Sequence, residues 1–358
     1  MTVVCPDNDV SQCMLLKHNN KRICSRLSGG CIGQGEFVVL RGALQLSFFD
    51  PAVSIETLKD LMPTSAPTQT SVKASVKAID AVVNIWTSEA LSHRPDWKDG
   101  FFAGKVKAKA PMSAISLEQM LGRMEKAGIE RAFLVAARTG RLGLPGSYHM
   151  PYEVVARACE QYPGRFYGLA GVDPTQGMDA VRALEDAVKN MGFIGAHAYP
   201  HWFELAPDHA KWYPLYAKCV ELDVPFLTQV GQSLIYSPDQ RLRSVGRPIS
   251  LDAVACDFPE LKLLGIHVGI PWHDEMIAMA WKHENICIVA DAHSPKYWPD
   301  SFVKYLNSFG QNKVIFGTDF PVLDFERTMN EVLALGLKPD VLPKFLRGNA
   351  ERIFKLPV

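Results

Sequence analysis

The chain has 358 residues, of which 47% are hydrophobic and 21% are charged, a composition typical of globular proteins with one large or two medium domains. Lys plus Arg and Asp plus Glu both number 38, so no basic surface for nucleic acid or an anionic membrane is expected. No apolar run is long enough for a transmembrane helix, and the N-terminus lacks a continuous apolar signal segment. We therefore expect a cytoplasmic protein.

Residues 1–75 differ from the rest of the chain in composition and in hydrophobic pattern. Residues 18–37 are rich in turn formers, and residues 62–77 have the Pro/Ser/Thr/Lys composition of a linker. Between them, residues 37–49 are compatible with a strand or a short helix. We predict a poorly structured, largely disordered N-terminal extension over 1–75, unless the start codon is assigned too far upstream, and a single domain over 76–358.

The eight cysteines fall into two groups. The first group lies in the extension without C-x-x-C spacing, so it is weak evidence for zinc: Cys5, Cys13, Cys24 and Cys31. The second group lies in apolar or helical segments and is interpreted as reduced core thiols: Cys159, Cys219, Cys256 and Cys287.

From residue 76 onward, short apolar runs alternate with amphipathic stretches. The predicted strands are, in chain order, 76–86, 129–137, 165–172, 193–199, 224–231, 261–269, 285–291 and 313–320. A long loop follows the first strand, and the predicted helices are 116–128, 151–163, 180–192, 213–223, 249–259, 274–284, 299–310, 325–335 and 342–354. The strands are continuously apolar, as buried parallel strands are.

Eight strand-then-helix units in about 280 residues predict an α/β protein with a (β/α)8 TIM-barrel fold. An open doubly wound sheet is the competing fold. It is disfavoured because no G-x-G-x-x-G follows the first strand.

In such a barrel, the chemistry lies at the carboxyl ends of the strands. Polar residues are concentrated at those positions: Asp80, Asn84, Arg138, Asp173, His197, Tyr199, His201, Gln229, Arg243, Arg247, His267, Asp291, His293, Lys296 and Asp319. Imidazoles and a carboxylate on neighbouring strands suit Zn, Mn or Fe, and carboxylates favour the harder ions. An arginine such as Arg138, Arg243 or Arg247 is suited to bind a substrate carboxylate.

Three motifs, "KLLGIHVG", "IFGTDFP" and "LRGNAERIFKL", resemble the amidohydrolase superfamily. Their order over residues 76–356 is similar to the amidohydrolase-related branch that contains aminocarboxymuconate semialdehyde decarboxylase and similar carboxy-lyases. The resemblance implies that His267 is a catalytic histidine. It also implies that Asp319 binds metal or relays a proton.

The chain departs from that family's pattern where the metal ligands are expected. The first strand normally carries Asp-x-His-x-His, whereas this chain has "DAVVN", with Val82 and Asn84 in the histidine positions. Gln229 replaces the histidine of the fifth strand. His197 aligns with the position of a metal-bridging lysine in binuclear relatives. The resemblance therefore predicts a displaced ligand set, His197, His201, His267 and Asp319, which Asn84, Gln229 or His293 complete.

The sequence thus predicts a metal-dependent hydrolase or carboxy-lyase acting on a small carboxylated substrate. His267 and Asp319 are the predicted catalytic residues, and the predicted substrate-binding residues are Asn84, Arg138, Gln229, Arg247 and His293. The alternatives are a metal-dependent hydroxylase and a non-catalytic barrel subunit that pairs with an active paralogue. We expect a homo-oligomer or a hetero-oligomer with such a paralogous barrel.

Overall fold

The computed structural model describes residues 14–18, 21–25, 76–107, 113–236 and 240–357. The chain divides into two units, Met1–Thr70 and Ser71–Val358. In the first unit, Met14–His18 and Lys21–Ser25 pair as antiparallel strands. The rest of the predicted extension lies outside the described residues. Within the described part of the chain, no helix is long and apolar enough to cross a membrane.

The second unit is the predicted (β/α)8 barrel. Its strands, numbered in chain order, are β1 Ala78–Val83, β2 Ile129–Ala136, β3 Phe166–Gly171, β4 Gly195–Ala198, β5 Phe226–Gln229, β6 Leu263–Ile266, β7 Ile286–Ala290 and β8 Val314–Phe316. Consecutive strands are neighbours and pair in parallel. A parallel bridge between Val83 and Phe320 joins the two ends of the sheet.

Helices lie between the strands. The α-helices are Ser88–Ser92, Trp97–Phe101, Leu117–Ala127, Tyr152–Gln161, Met178–Lys189, Pro200–Phe203, Tyr213–Leu222, Leu251–Asp257, His273–Lys282, Asp300–Leu306, Phe325–Leu333, Val341–Pro343 and Asn349–Phe354. Shorter 3₁₀ and π segments are Phe102–Val106, Pro174–Gln176, Ala210–Trp212, Pro248–Ser250, Pro295–Tyr297 and Lys344–Gly348. The loop predicted after β1 thus contains two short helices and a π turn, which the sequence pattern does not reveal.

Helix Leu117–Ala127 illustrates how local sequence sets these boundaries. The Ser116 side chain accepts from the Gln119 backbone N–H, and the Gln119 side chain accepts from the Ser116 N–H, so a capping box starts the helix. Gly128 ends it with a left-handed φ of 78°, a conformation that glycine adopts without steric cost. The predicted start and stop are confirmed here.

The four cysteines of the barrel unit are all free. Cys219 and Cys287 are buried, as predicted for core thiols, and Cys159 is half-buried. The same prediction was wrong for Cys256, which is exposed. An amphipathic helix places only one face in the core, and Cys256 lies on the outer side of its helix.

Candidate active site

Three ionisable side chains converge where β6, β7 and β8 end. His267 Nε2 lies 3.5 Å from Asp291 Oδ2 and 3.7 Å from Asp319 Oδ2. One ligand atom from each residue lies within 4.8 Å of the others. Asp291 is fully buried, while the Asp319 side chain is 13% exposed. This His–Asp–Asp cluster therefore lies at the carboxyl-terminal rim of the barrel, with Asp319 its most exposed member.

Backbone geometry directs two of these side chains to the cluster. His267 and Asp319 have left-handed φ values of 72° and 54°, which non-glycine residues rarely adopt and which cost free energy. The His267 N–H donates to Asp291 Oδ1 at 2.6 Å, and the Asp319 N–H donates to the Val82 carbonyl at 2.9 Å. Such conformations concentrate at functional sites.

A buried carboxyl group supports the turn that precedes Asp319. Asp80 on β1 accepts hydrogen bonds from the Thr318 N–H at 3.0 Å and the Thr318 hydroxyl at 2.6 Å. The Thr318 hydroxyl in turn accepts from the Phe320 N–H at 3.0 Å. Burial raises the pKa of Asp80 to about 7, although the bonds from Thr318 lower it. Asp80, predicted only as a residue near the end of the first strand, thus holds the end of β8 in place.

The electrostatics of the cluster favour an added positive charge. Burial raises the pKa of Asp319 to about 8, against the lowering effect of its hydrogen bond from Asn84. Burial, followed by the negative charge of Asp319, raises the pKa of Asp291 well above its usual range. Burial, followed by the electrostatic effect of the neighbouring His293, lowers the pKa of His267 well below its usual range. Two carboxyl groups this close require a proton or a cation between them.

An asparagine and an arginine orient Asp319 from the β1 side. Asn84 Nδ2 donates to Asp319 Oδ1 at 2.8 Å, and Arg94 Nη2 donates to Asn84 Oδ1 at 3.1 Å. Since a guanidinium only donates, Arg94 fixes which way the amide points. The guanidinium lies 4.7 Å from the Trp86 ring centre and donates to the Tyr148 hydroxyl at 2.8 Å. Sequence reasoning missed Arg94 because the residue lies in the irregular loop after β1.

Gln229 influences where the proton of His267 lies. Gln229 Nε2 lies 3.1 Å from His267 Nδ1. With Nε2 as the donor, a neutral imidazole carries its proton on its own Nε2, directed toward the two carboxyl groups. A turned Gln229 amide would instead accept from Nδ1–H and leave His267 Nε2 as a metal ligand.

The two predicted substrate arginines have other partners. Arg138 Nη1 lies 3.1 Å from His149 Nδ1, and the Arg138 guanidinium carbon lies 4.4 Å from the Tyr152 ring centre. Arg247 pairs with Glu275, and 53% of its side chain is exposed. None of these contacts involves the His–Asp–Asp cluster, whereas Arg94 reaches it through Asn84. Substrate binding by Arg138 and Arg247 stays a prediction.

Residues 79–356 match the family model described as an amidohydrolase. The chain belongs to the amidohydrolase family. It is 28% identical over 141 residues to 2-keto-4-carboxy-3-hexenedioate hydratase of Sphingobium sp., a match that spans 34% of this chain and 40% of that enzyme. The resemblance to the amidohydrolase-related branch is thereby confirmed.

Solved structures share the fold of this amidohydrolase. An uncharacterized TIM-barrel protein from Bordetella bronchiseptica has a TM-score of 0.67 and 23% identity, covering 78% of this chain and 99% of that one. The 5-carboxyvanillate decarboxylase of Novosphingobium aromaticivorans, crystallised with manganese, has a TM-score of 0.59 and 18% identity, covering 79% and 98%. The 2,6-dihydroxybenzoate decarboxylase from Rhizobium has a TM-score of 0.58 and 18% identity, covering 78% and 99%.

The donor set of this amidohydrolase fits a hard divalent cation. His267 Nε2 and Asp291 Oδ2 are buried and have no hydrogen-bond partner in the described part of the chain. Two carboxylates and one imidazole are typical ligands of Mn²⁺ and related ions. A cation would also relieve the repulsion between Asp291 and Asp319. Sequence reasoning placed Asp291 on the rim but left it out of the ligand set, although the position directly after β7 was the available signal.

Three further histidines of the predicted site, His197, His201 and His293, lie close enough to His267 to lower its pKa. His197 is fully buried, and neither ring nitrogen has a partner among the described residues. Burial lowers the pKa of His197 to about 3 and that of His201 and of His293 to about 4. His201 Nδ1 accepts from the Val245 N–H at 3.1 Å. All three rings are neutral at neutral pH, and a ligand role for His197 and His201 stays a prediction.

Proposed function

We propose that this amidohydrolase is a divalent-metal-dependent carboxy-lyase or hydrolase that acts on a small carboxylated substrate. The observation that carries the proposal is the convergence of His267 Nε2 on Asp291 Oδ2 and Asp319 Oδ2 at 3.5 and 3.7 Å. The carboxy-lyase reaction is favoured because proteins of the same fold are decarboxylases and the curated relative is a hydratase, which is also a lyase.

Asp291 and Asp319 are the residues proposed to hold the cation, with His267 as an additional donor when the Gln229 amide is turned. A cation held there would supply Lewis-acid polarisation of a substrate oxygen. Asn84 keeps Asp319 Oδ1 engaged and leaves Oδ2 toward the centre. Manganese is the ion best supported, because carboxylates prefer hard cations and a decarboxylase of this fold was crystallised with it.

Arg94 is proposed to bind a second anionic group of the substrate. Its Nε is buried and has no partner among the described residues, while its other nitrogens are held by Asn84 and Tyr148. A guanidinium held in this way is pre-organised for a carboxylate. An anion bound there would lie next to the proposed cation site, because Asn84 contacts both Arg94 and Asp319.

His267 is proposed to assist the proton transfer. In decarboxylation the bond from the substrate carbon to its carboxyl group breaks, CO₂ leaves, and the electron pair on the carbon takes a proton. With Gln229 donating to Nδ1, the neutral ring has its only proton on Nε2, facing the carboxyl groups. This N–H would donate a hydrogen bond to a water molecule that gives its proton to the carbon, and the hydroxide formed would combine with the CO₂ to give bicarbonate. In a hydrolysis, a neutral His267 with its Nδ1 protonated would take a proton from water through Nε2.

The test is substrate consumption by purified full-length protein. A pool of small mono- and dicarboxylic acids, aromatic ones included, is incubated with Mn²⁺-loaded protein and followed by mass spectrometry. The proposal predicts a metal-dependent loss of CO₂, or a bond cleavage with addition of water, that Asp319→Asn abolishes. If no acid is consumed in an Asp319-dependent way, the proposal fails.

The second candidate is a non-catalytic barrel subunit, favoured by Val82 and Asn84 at the positions of the family's first-strand histidines. Activity of either kind that appears only after a paralogous barrel is added, and that is insensitive to Asp319→Asn, would support it. The hydroxylase alternative, the oligomeric state and the cytoplasmic location stay predictions.

A further inference from the structure

The described residues contain a second group of possible metal ligands, on the outside of the barrel. Asp252, Cys256 and His283 each offer one ligand atom within 4.8 Å of the others. Cys256 is exposed, and the Asp252 side chain is 34% exposed. We infer that these three residues form a surface site for a zinc-like divalent cation, separate from the His–Asp–Asp cluster.

Two neighbouring helical segments bring the ligands together. Asp252 and Cys256 lie four residues apart on helix Leu251–Asp257, so they share one helix face. His283 directly follows helix His273–Lys282. Its backbone N–H donates to the Met279 carbonyl at 3.0 Å, and its carbonyl accepts from Lys313 Nζ at 2.9 Å. Hydrogen bonds at both its N–H and its carbonyl therefore fix the backbone of His283 before any ion binds.

The donor atoms match zinc in chemistry. One thiolate, one imidazole and one carboxylate are ligands that zinc accepts in tetrahedral sites, with a fourth position for water. His283 Nε2 and Lys282 Nζ both lie 2.6 Å from Asp252 Oδ1, which leaves Oδ2 for a cation. On binding, Cys256 releases its thiol proton to solvent and His283 enters as the neutral ring. The Lys282 side chain is 54% exposed and is free to swing away from the ion.

Such an ion would join the helix after β5 to the end of the helix after β6. A ligand that binds only the folded state raises stability by mass action. The site would therefore act as a metal-dependent clamp between two adjacent helices. Its role is independent of the proposed reaction, because none of its residues belongs to the His–Asp–Asp cluster.

Cobalt titration of metal-stripped, full-length protein tests the site. Cobalt bound to a thiolate gives a ligand-to-metal charge-transfer band in the near ultraviolet, which carboxylate and imidazole ligands do not give. We expect the band in the wild type, its loss in Cys256→Ser, and weaker cobalt binding in His283→Gln, which keeps a hydrogen-bonding side chain. Circular dichroism confirms that each variant is folded.

Matched controls separate this site from other cysteines and from the proposed active site. The band should persist in Cys159→Ser, in a variant with Cys5, Cys13, Cys24 and Cys31 all changed to Ser, and in Asp291→Asn/Asp319→Asn. A band that survives Cys256→Ser, or a wild type without a Cys256-dependent band, would overturn the inference. Unchanged cobalt affinity in His283→Gln would also overturn it.

Discussion

Asn84 Nδ2 donates a hydrogen bond to Asp319 Oδ1 at 2.8 Å and thereby joins the first strand of the barrel to the last. The resemblance to the amidohydrolases implies a metal-binding histidine at position 84. In this chain the residue is instead a donor to the carboxylate proposed to bind the cation. Arg94, which donates to Asn84 Oδ1 at 3.1 Å, holds the amide in this orientation. The residue that follows the first strand therefore positions Asp319 and is not among the proposed metal ligands.

Removal of the Asn84 amide should raise the pKa of Asp319. That pKa is about 8, and the hydrogen bond from Asn84 is the largest effect that lowers it. In metal-free Asn84→Ala, the carboxyl group of Asp319 should therefore titrate at higher pH than in the wild type. Carbon-13 NMR of aspartate-labelled protein, assigned with Asp319→Asn, measures this shift. An unchanged or lower titration midpoint would show that the bond is not formed in solution.

Gln229→Glu should separate metal binding from proton transfer. A carboxylate at this position accepts from His267 Nδ1–H, so the proton leaves Nε2 and that nitrogen becomes a ligand. We expect Mn²⁺ affinity to rise about tenfold, a typical effect of such partners. We expect kcat to fall by about 100-fold or more, because the Nε2–H donor that assists proton transfer from water is lost.

Metal titration and steady-state kinetics of the same Gln229→Glu preparation give the two values. A parallel rise or a parallel fall in affinity and kcat would contradict the tautomer assignment. Gln229→Met, which neither donates nor accepts strongly, is the matched control.

Arg94→Gln should weaken substrate binding far more than Arg247→Gln. Loss of a charged hydrogen bond to an anion costs about 1.5–3 kcal/mol, which corresponds to a rise in KM of roughly 10- to 100-fold. Arg247 pairs with Glu275 at the surface, so its replacement should leave KM nearly unchanged. Steady-state kinetics on the acid identified by the consumption assay measures both. The reverse order of effects would restore Arg247, the residue predicted from sequence, as the anion-binding arginine.

Asp80→Asn should remove a pH-dependent loss of stability. The pKa of Asp80 is about 7 in the folded protein, whereas the ordinary pKa of an aspartate in water is 3.8. Between these pH values the folded state binds more protons than the unfolded state, so the free energy of unfolding falls as pH rises. The asparagine variant lacks this effect.

The difference between wild type and Asp80→Asn should therefore grow by about 3 kcal/mol between pH 4 and pH 7, in favour of the variant. Urea unfolding at a series of pH values measures it. A difference that is constant with pH would show that Asp80 is ionised in the folded protein throughout this range.

The fold and the site differ in how far the sequence could predict them. Continuous apolar runs identified all eight barrel strands, because burial on both faces leaves a strong signal. His267 and Asp319 followed from their positions at strand ends. Asp291 was also visible there. Its inclusion in the cluster depends on left-handed backbone at neighbouring residues, which no composition or periodicity reveals.

Arg94 and Cys256 show the other limit of sequence-based prediction. Arg94 reaches Asn84 from a loop of short helices, and no spacing rule connects residues so placed. Cys256 has apolar neighbours in sequence, yet it lies on the exposed face of its helix and next to His283 from another segment. Contacts between distant segments are set by packing, so side-chain partners such as these require the structure.

The central claim is that Asp291 and Asp319 hold the cation. Manganese binding to metal-stripped protein tests it most directly. Titration followed by electron paramagnetic resonance compares wild type with Asp291→Asn and Asp319→Asn, which are nearly isosteric changes, and with His197→Asn, which removes the imidazole. We predict one Mn²⁺ bound by the wild type, a loss of more than about tenfold in affinity in both aspartate variants, and near wild-type binding in His197→Asn. Binding that survives both aspartate changes, or that depends on His197 alone, would contradict the claim.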